Sequence, residues 1–408
     1  MKIFLINKFL FPKGGDAIST LTTGELLKKK GHEVYFWGMK HPKNPKYEFE
    51  ELFIDYIDYY KSMGFVEKLK IASKILYSFE AKKKIDPLLN KIKPDIIHLN
   101  NFAHQISPSI LDVIKKYKIP TVMTMHDYKL VCPAYSMLSK GKPCEKCKNG
   151  RYYYCFLNKC TKNSYFKSLI NTLEMYLHHK FLRIYNKIDI FIAPSRFMLN
   201  KVKEMGFKGE IVYLPNFVNL EEFEPNYNWE ENSIVYVGRL SFEKGIKTLI
   251  EAVKGLNVGL KIIGNGPLRQ ESEEKVKNEN IKNVKFLGFK KGKELKEEIK
   301  KAMFTVLPSE CYENNPRSVI ESFALGKPVV GARIGGIPEL VIDHETGMTF
   351  EPGDTEDLRE KIGFMLNNKD IIEKMGKNAR NFVKEIFNPD SHYKKLVKSY
   401  RRAIEKSN

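Results

Sequence analysis

The sequence predicts an α/β protein of two doubly wound parallel-sheet domains with a cleft between them, and three observations carry that expectation. Short apolar runs alternate with amphipathic helical stretches almost throughout, the pattern of parallel strands covered by helices on both faces. At 408 residues the chain exceeds what one hydrophobic core serves and suits two domains of ordinary size. The two series of runs separate at 195–216, where Ala193-Pro-Ser195 closes one strand and Leu214-Pro-Asn216 opens the next unit. The expected division is 1–216 for the first domain and 217–387 for the second, then a terminal segment 388–408 with helical spacing over 393–404.

In the first half, strands are expected at 2–6, 33–37, 96–99, 121–125 and 188–192. The loop Phe11-Pro-Lys-Gly14-Gly15-Asp leads from the first strand into a helix that runs to about residue 30. Glycines there let the backbone approach a ligand closely, although a plain strand-to-helix turn explains two glycines as well. His126 stands at the end of the strand 121–125, facing the cleft. A lone His at a strand end is more often a structural hydrogen-bonder; at the cleft it could instead hold a ligand hydroxyl. The stretches 61–85 and 165–185 place apolar residues at helical spacing among Lys, Arg and His, which suits covering the sheet, lying on a membrane surface or shaping an acceptor cleft.

Five of the six cysteines, Cys132, Cys144, Cys147, Cys155 and Cys160, fall in one insert over 132–160. Cys144-Glu-Lys-Cys147 has metal-ligand spacing, so a structural zinc held by four thiols, with Cys144, Cys147, Cys155 and Cys160 as the set, is the preferred expectation. Disulfides and free thiols are the alternatives.

In the second half, strands are expected at 234–237, 260–263, 284–287, 304–307 and 329–332. After the first of them comes Gly238-Arg239-Leu-Ser-Phe-Glu243-Lys244-Gly245. Ligands of open parallel sheets bind beyond the carboxyl ends of strands, where Arg239 as a planar fork and Lys244 as a point charge can neutralise a diphosphate. After the fourth comes Pro308-Ser-Glu310-Cys-Tyr-Glu313-Asn-Asn-Pro316-Arg-Ser-Val-Ile-Glu321. Pro316 suits the first helical position, and Gly326 with Pro328 ends the helix. Glu313 then lies just before an amide-lined helix start and Glu321 one turn inside it, on the face of Arg317. An anion at the helix start, flanked by carboxylates that accept from vicinal hydroxyls, describes a nucleotide-sugar.

These motifs resemble the retaining glycosyltransferases of family four, which carry Glu-x7-Glu, here Glu313 and Glu321, ahead of a Gly-Lys-Pro-Val-Val turn, here Gly326-Lys-Pro-Val-Val330. The Gly-Arg-Leu-x-x-Glu-Lys-Gly string recurs there as a diphosphate clamp, and Gly335-Gly-Ile-Pro-Glu339 matches as well. The resemblance implies a GT-B fold of two Rossmann-like domains, with the last helix returning to pack on the first. It implies that Glu313 contacts the donor sugar, Glu321 the ribose, and that Gly14 and Gly15 face donor phosphates and acceptor; a His-Asp like His126-Asp127 touches the sugar. The catalytic set expected on this basis is His126, Arg239, Lys244 and Glu313, and the donor-binding set Gly14, Gly15, Asn315, Arg317 and Glu321. Where the family often has Gly-Phe after the first Glu, this chain has Asn314-Asn315.

The expected activity is transfer of a sugar from a nucleotide-diphosphate donor to a saccharide or lipid-linked acceptor in glycan synthesis, with retention by front-face attack. No Asp-x-Asp stands at a strand end, so Arg239, Lys244 and the helix start are expected to replace a divalent ion, with no cofactor for catalysis. The alternatives are a nucleotide-sugar epimerase of the same build, a non-catalytic binding protein, and a dinucleotide enzyme. Against the last, Gly264-Asn-Gly266-Pro-Leu-Arg269 has Arg where the fingerprint needs its third Gly.

Composition agrees. The excess of 69 Lys and Arg over 49 Asp and Glu leaves a net +20, which suits nucleotide phosphates or an anionic membrane surface, and no zinc-finger or RNP-like pattern points to nucleic acid. No apolar run approaches the ~20 residues of a membrane span, and the apolar start at 3–6 reads as a strand and not a leader, so a cytoplasmic protein is expected.

Overall fold

The computed structural model describes residues 1–57, 64–229 and 232–407. The first sheet contains β1 (Lys2–Ile6), β2 (Glu33–Trp37), β3 (Ile96–Leu99) and β4 (Thr121–Thr124). A small antiparallel hairpin, β5 (Leu138–Ser139) and β6 (Lys142–Pro143), interrupts the series before β7 (Ile190–Ala193) and β8 (Ile211–Tyr213) complete the sheet. The second sheet contains β9 (Ser233–Val237), β10 (Gly259–Ile263), β11 (Val284–Gly288), β12 (Thr305–Leu307), β13 (Val329–Ala332) and β14 (Gly347–Phe350).

Both six-stranded sheets are parallel throughout, in the orders β2-β1-β3-β4-β7-β8 and β11-β10-β9-β12-β13-β14. Helices cover both faces of such sheets, which is why β3, β4, β7, β13 and β14 are buried at every residue, whether apolar like β7 and β13 or carrying a His or Thr like β3, β4 and β14. Strand order reverses between β1 and β3 in the first sheet and between β9 and β12 in the second. At those points neighbouring strands send their connections to opposite faces and leave a crevice at the carboxyl ends.

Besides the β5–β6 hairpin, two strands escape the sequence pattern. β8 has three residues, and Gly347-Met-Thr-Phe350 reads as a turn because it opens on Gly; each forms because a neighbouring strand offers a free edge. β7 runs two residues later than the apolar run begins, since Asp189 Oδ2 accepts the Thr121 amide (2.8 Å) ahead of the ladder.

Each sheet has its own core. Leu214 still belongs to the first and Val218 to the second. The terminal helix Pro389–Ser407 crosses back: Leu396, Tyr400 and Ala403 are buried in the first core, and the Tyr400 hydroxyl bonds His98 Nδ1 at 2.8 Å. Of the basic stretch 61–85, residues 61–63 lie outside the described residues; the rest forms helix Phe65–Leu76 and part of Phe79–Ile92. Among the described residues no helix is long and apolar enough to cross a membrane.

The Gly326-Lys-Pro turn carries a buried cation. Lys327 is 1% exposed, its ammonium donates to the carbonyl of Asn228 (2.7 Å), and burial pulls that ammonium down to about 8 from the ordinary 10.5. Below the folded value both states hold the proton and the fold bears the full cost of the charge. As pH rises toward the unfolded value the folded lysine sheds its proton first, so this contribution to stability increases with pH. Denaturant unfolding of the native chain and of Lys327→Met should therefore show the difference moving toward the native chain by about 3 kcal/mol between neutral pH and pH above 10, at ~1.4 kcal/mol per pKa unit. A difference constant with pH would show that burial does not lower the Lys327 pKa.

Candidate active site

The second-domain wall of the cleft is built from the ends of β9 and β12, the strands on either side of the order reversal. Beyond β9 the chain turns through Phe242–Lys244 into Gly245, whose φ is 64° and where a Cβ would stand 1.8 Å from the Pro308 carbonyl oxygen. Only glycine fits both demands, so the loop bearing Arg239 and Lys244 is pressed against the loop bearing Glu313. The Tyr236 hydroxyl donates to the Arg239 carbonyl at 2.9 Å and fixes the exit of β9.

The consequence is a direct ion pair between Lys244 and Glu313, with Ser309 Oγ donating to the same carboxylate oxygen at 2.6 Å. Burial works against both charges, and the partner outweighs it in each case: Glu313 is held below the usual carboxylate range and Lys244 above the usual lysine value. The Glu313 backbone is fixed as well. Gly336 donates its amide to the Glu313 carbonyl (2.8 Å), and Gly335, at φ 62°, lies where a Cβ would come within 2.4 Å of that oxygen.

Helix Arg317–Ala324 starts beside this pair. Pro316 occupies the capping position, one residue earlier than expected, and no side chain caps the first amides. Arg317 and Glu321 form an ion pair at 3.3 Å on one face, and Gly326 at φ 75° ends the helix. Opposite stands the first-domain helix Gly15–Lys29, capped by Gly14 in extended conformation and likewise without a side-chain cap. A Cβ on Gly15 would lie 3.9 Å from Arg317 Cδ, so the two helix starts confront each other across the cleft. Two uncapped helix starts with Arg and Lys between them form an anion site.

A cavity of about 1170 Å³ occupies this space, and Gly14, Gly15, Arg239, Lys244, Glu313, Arg317 and Glu321 all line it. Lys290 and Lys291, beyond the end of β11, line it too; the strand-end rule that found Arg239 applies to them equally.

Two expected site residues are not on the cavity wall. Asn315 is 9% exposed, its Oδ1 accepts the Asn216 amide (3.2 Å), and its carbonyl accepts Asn216 Nδ2 (3.4 Å). It ties the interdomain connection to the helix start, a correction to its expected place among donor contacts. His126 donates from Nε2 to Asn100 Oδ1 (2.9 Å) behind the glycine loop, and burial lowers its pKa, leaving a neutral ring. Asn314 spans the domains, donating to the Met125 carbonyl (3.0 Å) and accepting from Ser195 Oγ (2.8 Å). Glu339, noticed in sequence only as part of a motif, accepts the amides of Arg196 and Phe197 and so joins its loop to a first-domain helix start.

The cysteine insert reaches the same region: Glu145 accepts from the Tyr312 hydroxyl (2.8 Å), next to Glu313, and pairs with Lys201 (2.7 Å). All six cysteines are free thiols. Cys155 and Cys160 hydrogen-bond to each other with Cys132 nearby, and Cys147 also faces Cys132, Cys144 and Cys160. Among the described residues, however, no group of three or more His, Cys, Asp or Glu is arranged to hold a metal ion.

Two parallel-sheet domains of Rossmann type with a cleft between them make up the GT-B architecture of glycosyltransferases. The profile described as Glycosyltransferase Family 4 matches residues 13–222 and that described as Glycosyl transferases group 1 matches 219–382; the chain belongs to glycosyltransferase family 4. It is 31% identical over 219 residues to an uncharacterized glycosyltransferase of Methanocaldococcus jannaschii, covering 53% of this chain and 59% of that relative. A second uncharacterized glycosyltransferase of the same organism is 26% identical over 99% of both chains. In fold it is similar to sucrose-phosphate synthase from Thermosynechococcus elongatus, with a TM-score of 0.73, 21% identity and 99% of each chain covered. Similar too is Anabaena HepE solved with UDP and glucose, at TM-score 0.66 and 16% identity over 98% of this chain and 99% of that one.

Proposed function

We propose that this glycosyltransferase takes a sugar from a nucleotide-diphosphate donor and transfers it, with retention and without a divalent metal in the chemical step, to a saccharide or lipid-linked acceptor at the cytoplasmic face of a membrane. The observation that carries this is the pairing of Lys244 with Glu313 in a cavity whose two opposite walls are uncapped helix starts. The transfer breaks the bond from the anomeric carbon to the diphosphate and places negative charge on the leaving group. Arg239, Lys244 and the amides of the two helix starts are fixed cations and dipoles for that charge, in place before the reaction and so without reorganisation cost. Glu313, ionised beside Lys244, accepts from sugar hydroxyls, and Glu321, one helical turn from Arg317 on the same cavity wall, accepts from ribose hydroxyls. His126, neutral through burial and donating to Asn100 Oδ1, lies off the cavity wall on the first-domain side and is assigned no contact with the donor.

That Anabaena HepE was solved with UDP-glucose supports a nucleotide-sugar as donor class. Binding of a panel of UDP-, GDP- and ADP-sugars to the purified chain tests the reading, with saturable binding of at least one expected and binding of none overturning it. Transfer from the donor that binds should persist in EDTA, and the product should keep the anomeric configuration of the donor by proton NMR. Conversion of the donor to its epimer in the absence of acceptor would instead favour the epimerase.

A further inference from the structure

Helix Tyr165–Tyr176 is built inside out. Its buried face carries Ser168, Asn171, Thr172 and Glu174 beside Met175, while Tyr165, Phe166, Leu169 and Leu173 face outward at helical spacing. A helix covering a sheet normally does the reverse. The polar face is engaged inward: Glu174 pairs with Lys129 (2.6 Å), Asn171 Nδ2 donates to the Pro133 carbonyl (3.2 Å), and Ser168 Oγ accepts the Thr161 amide (3.0 Å). The helix is thus locked in the orientation that leaves its apolar side uncovered. The exposed apolar surface continues through Phe181, 79% exposed, and Leu182, and onto the adjoining helix Phe65–Leu76, which exposes Val66 and Leu69 and is joined to this region by the His178 bond to the Leu76 carbonyl (2.7 Å).

The charge around this surface is one-sided. Residues 146–187 hold nine Lys and Arg and one acidic residue, Glu174, which is fully buried. Lys167, Lys180 and Arg183 are exposed among the apolar side chains. A second copy of the same face would bring like charges together, whereas an anionic bilayer supplies both an acyl boundary for the apolar residues and phosphates for the cations.

We propose that this face, centred on Leu169 and Leu173, is a docking surface for an anionic membrane and lies flat at the headgroup boundary. The anchor at Lys129, three residues beyond His126, places the bilayer beside the first-domain side of the cleft. The inference goes beyond the donor reading and is independent of it, because vesicle binding and nucleotide-sugar binding are measured separately.

The test is sedimentation of the full chain with vesicles of phosphatidylcholine alone and of phosphatidylcholine mixed with phosphatidylglycerol. Binding is expected to be at least about ten-fold tighter to the mixed vesicles and to weaken with salt. Leu169→Asp with Leu173→Asp should reduce that binding by roughly ten-fold or more, with the melting temperature of the exposed-site variant unchanged. Lys167→Glu with Lys180→Glu should remove the preference for anionic lipid. No binding to either vesicle, equal binding to both, or full binding by the leucine variant would each overturn the proposal. So would a dimer in sedimentation velocity that the leucine variant abolishes while vesicles bind neither protein, since the face would then belong to a second copy.

Discussion

Lys244→Ala is expected to lower kcat/KM for sugar transfer by roughly 10²–10³-fold, the loss typical of removing one fixed donor to a developing anion. The ammonium is paired with Glu313, so its charge is held at the cavity wall. A diphosphate entering between the helix starts meets a cation whose position Gly245 and the Glu313 carboxylate already define. Initial rates with the donor identified by binding provide the check, alongside thermal unfolding to show that the fold persists. Glu313→Gln is the companion: it keeps the shape and the Ser309 contact and removes the negative charge, so Lys244 loses its partner but remains available to phosphate. The two variants should therefore differ, with Glu313→Gln weakening sugar discrimination and Lys244→Ala weakening transfer from every donor. Turnover unchanged in Lys244→Ala would remove the lysine from the chemistry.

Glu174→Ala should destabilise the fold by about 3–5 kcal/mol, the cost of leaving a buried charge without its partner. Glu174 is 0% exposed and lies 2.6 Å from Lys129 Nζ and 3.1 Å from His104 Nε2, with His178 at 3.9 Å. Burial raises its pKa, and the Lys129 ammonium with the neighbouring imidazoles lowers it by more, so the carboxyl stays below the usual range. A depressed carboxylate contributes stability above its unfolded pKa and loses it as pH falls toward the folded value. Denaturant unfolding near neutral pH should show the full difference, and the difference between native chain and Glu174→Gln should shrink on acidification below pH ~4. A loss under about 1 kcal/mol for Glu174→Ala would mean that Lys129 finds water or another acceptor. The pair also bears on function, because it fixes the outward-facing apolar helix to the loop that follows β4.

Residues whose placement depends on local spacing were legible in the sequence. Arg239 and Lys244 follow an apolar run that can only be a strand, and Glu313 and Glu321 bracket a Pro that starts a helix; all four line the cavity. Asn315 was misplaced because its sequence neighbours line the cavity while its own side chain turns to Asn216, a partner 99 residues away. The helix at 165–176 has clear amphipathic periodicity, yet periodicity gives two faces and does not say which one the domain covers. That choice was made by Glu174, Asn171 and Ser168 finding partners inside.

The amino-acid order by itself determined two parallel-sheet domains, the strand ends from which cations emerge and the helix start between two carboxylates, because each is written within a dozen residues and follows from backbone preference and burial. Tertiary structure alone decided that Lys244 pairs with Glu313 across 69 residues, that Asn314 and Glu339 reach the other domain, and that one apolar helix face stays open. Such contacts depend on which strands become neighbours at the order reversal, and hydrophobic patterning specifies strands without specifying their order.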